Sequence, residues 1–127
     1  MTTVDPTADI ASVLLPAHFD SATSASVERT LIAALTPRGK VIVDGSAVTY
    51  MSAAGVRALA TVLHAAEAME AHVVFCSFSG PAADCLEVSG FMLLLDVVDS
   101  AQEARARLVA RTVERFAGRL HGRRGAR

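Results

Sequence analysis

Apolar runs of strand length alternate with helical stripes along this chain, and that alternation predicts α/β layering. Residues 10–15 (IASVLL) read as a strand closed by Pro16, and residues 2–5 as a short partner strand with Pro6 in the turn. Asp20 and Ser21 supply cap chemistry for a helix over about 22–35, whose Val27, Leu31 and Leu35 recur at four-residue spacing before Pro37 and Gly39 end it. Val41, Ile42 and Val43 form a continuous apolar run, as expected of a central strand covered on both faces. A loop from Asp44 to Ser52 leads into a helix starting near Gly55, with Val56, Leu59, Leu63 and Ala66 on one stripe.

Residues 72–78 (HVVFCSF) give the next strand. Ser79 and Pro81 open a short helix that stops at Gly90, and Val97 and Val98 form a last short strand. Ser100 and Glu103 then stand in capping-box register at the head of a terminal helix. Beyond it, Val109, Val113, Phe116 and Leu120 make an apolar stripe, while Arg107, Arg111, Arg115, Arg119 and Arg123 recur every four residues on another face. The arginines read as a solvated face; the apolar stripe calls for cover by the domain's own sheet or by a second copy.

At 127 residues there is room for one domain with its own core. With 52% hydrophobic and 20% charged residues, disorder from low hydrophobicity is excluded. No signal-peptide pattern and no apolar run of spanning length occurs, so the expectation is a cytoplasmic protein without a membrane span. Four basic and eleven acidic residues precede residue 101, a net charge of −7, whereas eight arginines and two glutamates follow, a net charge of +6. An acidic body therefore carries a basic tail.

Catalytic signatures are missing. There is no GxGxxG, P-loop, HExxH or GxSxG, and His18, His64, His72 and His121 stand at no metal-ligand spacing. Cys76 and Cys85 fit neither a disulfide framework nor a CxxC motif and read as two buried thiols. Asp44, at the carboxyl end of a strand, is a candidate base by position, yet an Asp there more often closes a turn. These readings point away from an enzyme, and no cofactor, metal or direct nucleic-acid contact is implied.

The stretch VIVDGSAVTYMSAAGVRAL (41–59) carries the informative pattern. It resembles the STAS domain, named for sulfate transporters and anti-sigma factor antagonists, whose bacterial anti-anti-sigma members have a form such as VVLDLSGVTFIDSSGLRAL. Asp44, Ser46, Val48, Thr49, Gly55, Arg57, Ala58 and Leu59 match it directly. LEVSGF (86–91) is similar to the family's L-x-x-S-G-L/F segment, and LLLDVVDSAQEA (93–104) to its usual ending; Asp20 falls where the family often has an Asp. Aligned on Gly55, the family's Asp falls on Ser52, its phospho-acceptor serine on Ala53 and the second serine on Ala54. Ala53 has no hydroxyl, and Ser52 is the sole hydroxyl of the turn. Ser52 reads first as the N-cap of the helix and only second as a phospho-acceptor.

The resemblance implies a STAS-like single domain over residues 1–105, a mixed sheet of four or five strands with helices mainly on one face. Residues 106–127 are then an Arg-rich helical extension. It implies a non-enzymatic antagonist that docks an anti-sigma factor, a serine kinase of GHKL type, and so releases a sigma factor in transcription regulation or stress response. Docking would use Asp20, Ser21, Ser52, Ala53, Ala54, Gly55 and Arg57. The alternative is a STAS subunit of a lipid-transport or stress-sensing assembly, and a homodimer through the C-terminal helix would account for the apolar stripe.

Overall fold

The structure is a computed structural model that describes residues 10–111. The expected strand at residues 2–5 and the stripe positions from Val113 onward lie outside the described residues. Strands β1 (Ile10–Leu14), β3 (Lys40–Asp44), β5 (His72–Cys76) and β6 (Val97–Val98) form one sheet in the order β1-β3-β5-β6, and all three pairings are parallel. Within the described residues the sheet is therefore parallel, and any mixed character would have to come from outside them. Two-residue strands β2 (His18–Phe19) and β4 (Tyr50–Met51) form a second, parallel ribbon. The sequence places no strand at either position, because two residues are too few for a visible period.

The apolar runs of β3 and β5 serve two cores, as period-2 side-chain alternation requires. Val41, Val43, Val73 and Phe75 meet α1 (Ser24–Ala34), α2 (Ala53–Ala68) and α3 (Gly80–Ser89) through Leu31, Leu59, Val62 and Leu86. Ile42, Val74 and Cys76 face the other way and are covered by Ala104 and Leu108 of α4 (101–111). Three helices thus share one face, as expected, while the terminal helix lies on the opposite one. Ser100 caps α4 as the capping box foretells, its Oγ accepting the Glu103 N–H at 3.1 Å. Gly90 ends α3 in the left-handed conformation at φ 79°, the role assigned to it from sequence.

One expectation about α4 needs correction, that of solvated arginines. Among the described residues of α4, Ala104 and Leu108 are buried, and Ala101 and Val109 are half-buried. The arginines, read as solvated, are engaged at this end: Arg107 and Arg111 both bridge to Asp96, Arg111 at 2.8 Å, and Arg111 Nη1 lies 3.0 Å from His72 Nδ1. The reason is position. Asp96 precedes β6 at the sheet's lower edge, where an α4 docked by Leu108 delivers its arginines. Leu108 and Arg111 lie beyond residue 105 yet belong to the same packing.

Leu108 is fully buried, so Leu108→Ala should destabilise the fold by about 2–5 kcal/mol. The expected readout is a lower urea midpoint at unchanged slope. An unchanged midpoint would mean that α4 unfolds apart from the sheet.

Candidate functional site

The Asp20 turn and the start of α2 are far apart in sequence and are joined by the β2–β4 ribbon. Ala17 O accepts the N–H groups of Thr49 and Tyr50 at 2.8 and 3.1 Å, and the Thr49 hydroxyl at 3.1 Å. One register step on, Ser52 N–H donates to Phe19 O at 3.0 Å. Gly55 is dictated by this crossing: a Cβ there would stand 2.7 Å from Phe19 O, so a side chain would force the ribbon off the helix. Asp20, which follows Phe19, is thereby held beside the first turn of α2. His18 and the half-exposed Tyr50 meet edge-on above the ribbon, with ring centroids 6.4 Å apart.

The Asp20 turn is built differently from the expected cap. Asp20 O accepts the N–H groups of Thr23 and Ser24 at 3.1 and 2.8 Å, and its carboxylate accepts the Ala22 N–H at 3.0 Å. Thr23, not Asp20 or Ser21, is the N-cap residue, and its hydroxyl donates back to His18 O at 2.8 Å instead of capping the helix. Ser21 stays exposed. The turn is thus rigidly tied to β2, with its outer residues left facing water.

At α2, the helix starts at Ala53, two residues before the sequence expectation, with Ser52 at the N-cap position. The expected cap bond is absent. Ser52 has extended backbone, at φ −105° and ψ 175°, and its Oγ is buried without a hydrogen-bond partner among the described residues. Ser52 is anchored by its own N–H on Phe19 O and by its carbonyl, which accepts the Val56 N–H at 3.1 Å. Ala53 and Arg57 are exposed, Ala54 is half-buried and Gly55 is buried. Asp44 has the turn role: its carboxylate accepts the Ser46 N–H at 2.9 Å.

Beside Ala53 and Arg57, an open groove of about 370 Å³ runs between α2 and α3, lined also by Val56, Cys85, Val88 and Phe91. The sequence reading missed it, although Cys85 and Val88 at three-residue spacing before Phe91 were the available signal. Cys85 is half-buried there, so only Cys76 fits the expectation of a buried thiol. Among the described residues no three His, Cys, Asp or Glu side chains converge as metal ligands, and no helix is long and apolar enough to cross a membrane.

Residues 3–104 match the model of the STAS domain family. The chain belongs to the STAS domain family. Solved STAS-like structures agree in fold. A candidate anti-sigma factor antagonist from Thermotoga maritima superposes with TM-score 0.68 at 13% identity, over 84% of this chain and 91% of that one. An anti-sigma-factor antagonist (STAS) domain protein from Planctomyces limnophilus gives 0.69 at 17%, over 77% and 89%. The murine solute carrier 26 family member A9 anion transporter gives 0.71 at 18%, over 80% of this chain but 18% of its own. At such identities the likeness speaks for the fold alone. No curated protein matches the chain.

In this STAS domain the Phe19–Gly55 crossing leaves no room for a side chain at residue 55. Gly55→Ala should cost about 1–3 kcal/mol through overpacking against a backbone oxygen. Thermal unfolding checks it, and a variant as stable as the parent would show that the ribbon can slide away from α2.

Proposed function

We propose that this STAS domain is a non-enzymatic, cytoplasmic antagonist that docks an anti-sigma factor through the Asp20 turn and the start of α2, and so releases a sigma factor. The observation that carries the reading is the Ser52 N–H to Phe19 O bond, which makes two segments 33 residues apart into one face. Asp20, Ser21, Ser52, Ala53, Ala54, Gly55 and Arg57 contribute to it. The partner is an anti-sigma factor with serine kinase activity of GHKL type.

Ala53 defines how such an antagonist is controlled. A hydroxyl at this exposed position would take a phosphoryl group, adding a charge of about −1.5 to −2 in the middle of the face. The helix end tolerates an anion, but a partner packed on it does not. With alanine there, that switch is missing. Ser52 does not replace it, because its Oγ is buried and a kinase would have to open the turn to reach it. The antagonist therefore stays in its binding form. A STAS subunit in a lipid-transport or stress-sensing assembly is the second reading, favoured by the same missing hydroxyl.

The experiment is a pull-down followed by titration. Recovery of a GHKL-type anti-sigma kinase supports the antagonist, and recovery of a transport ATPase or permease supports the subunit. With the purified kinase and ATP, the natural chain should gain no phosphate at residues 52–54. Ala53→Ser should gain one at residue 53 and bind at least about tenfold more weakly, a loss of about 1.4 kcal/mol. Phosphate on Ser52 in peptide mapping would overturn the burial argument, and an Ala53→Ser chain left unmodified would overturn the docking register.

A further inference from the structure

We infer that the groove between α2 and α3 is an anchor pocket for the protein partner, receiving one aliphatic or aromatic side chain whose neighbouring carboxylate pairs with Arg57. This rests on the docking face proposed above and extends it, since Ala53 and Arg57 belong to both.

Three observations converge on that occupant. The first is apolar surface. Val88 in the groove wall is 89% exposed, and Leu93, in the turn that follows Phe91, is 91% exposed. Scattered aliphatics on a surface need no explanation, but Val88 belongs to a groove walled also by Val56, Cys85 and Phe91. The second is size. At about 370 Å³ the groove lies near the bottom of the ~300–1,000 Å³ range of small-molecule pockets. An open groove of that size suits one inserted side chain, with the partner surface around it covering Val88. The third is charge. Arg57 is the one charged residue lining the groove, and its guanidinium has no ion-pair partner among the described residues. A partner carboxylate beside the inserted side chain satisfies it. Such an arrangement, a buried anchor with a charged rim, is the usual anatomy of a binding hot spot.

Cys85 supplies a reporter inside the groove. Of the two cysteines, Cys76 is wholly buried, and burial pushes its thiol up from the ordinary 9.0, with the Asp44 charge adding to this and a Ser77 hydrogen bond opposing it. Its thiolate is therefore scarce near neutral pH. In the free chain, N-ethylmaleimide should label Cys85 and spare Cys76.

The test uses the full chain and the anti-sigma kinase purified from the pull-down. Saturating kinase should protect Cys85 from alkylation, read by peptide mass. Val88→Glu, at an already exposed side chain, should leave the melting temperature unchanged and weaken binding at least about tenfold, as loss of an anchor does. Arg57→Ala should weaken binding and flatten its salt dependence. If the kinase binds and Ala53→Asp weakens it, yet Cys85 is labelled at the free rate and Val88→Glu binds normally, the groove is not the anchor and only this inference falls. If no such kinase is captured, the docking reading falls and takes the inference with it. Protection of Cys85 that grows with the chain's own concentration, together with a doubled mass in sedimentation, would assign the groove to a second copy and overturn it.

Discussion

Because Val41, Ile42 and Val43 in β3 and Val73 to Cys76 in β5 are all buried, the sheet cannot keep either face in water. Every other part of the architecture answers that constraint. One face takes α1, α2 and α3, which between them bring Leu31, Leu59, Val62 and Leu86 to the alternate residues of both strands. The other face takes α4, whose two fully buried side chains, Ala104 and Leu108, cover Ile42, Val74, Cys76 and Val98. At about 25 cal/mol per Å² of apolar surface removed from water, the broader layer dominates stability and the narrow one decides whether the second face stays dry. Parallel strands also oblige each connection to cross over the sheet, and this is what delivers the turns after β1 and β3 to the same edge.

At that edge the constraint becomes local and polar. A backbone carbonyl left over from a two-residue strand, Phe19 O, must find a donor if it is buried. It finds Ser52 N–H, and the close crossing that results excludes any side chain at residue 55. The proposed docking face is thus assembled by main-chain groups. Its side chains are small at Ala53 and Ala54 and exposed at Arg57, which suits recognition by shape. Asp44, the best-placed carboxylate for chemistry, is committed to its own turn.

Legibility followed length and period. The four strands of the main sheet, the three helices between them, Gly90 as the stop of α3 and Ser100 as the cap of α4 were all readable, because each depends on residues within a few positions. The β2–β4 ribbon was not, since His18–Phe19 and Tyr50–Met51 pair across 32 residues and carry no period of their own. The same blindness put the start of α2 too late and gave Ser52 a cap bond that its position against Phe19 replaces. On α4 the miss had another cause: by spacing alone Arg107 and Arg111 look solvated, and only the fold brings them to Asp96, 11 and 15 residues earlier in the chain. Of the site, Gly55, Ala53 and Arg57 were legible through a matched motif; the groove beside them was not, because its walls come from two helices.

The charge asymmetry acquires a structural meaning from α4. A basic segment after an acidic body suggests a free tail, yet its first two stripe arginines converge on Asp96, whose side chain is 16% exposed. Exposed pairs are weak singly, and this one gains from being shared by two guanidinium groups on successive turns. Its effect is on register more than on stability. Leu108 can slide along an apolar face, but a carboxylate at the lower edge of the sheet admits Arg107 and Arg111 in one position of the helix only. The described turns of α4, with Arg107 and Arg111, are thus held behind the sheet, and the proposed docking face, on the other side, keeps Arg57 as the charge that a partner carboxylate would meet.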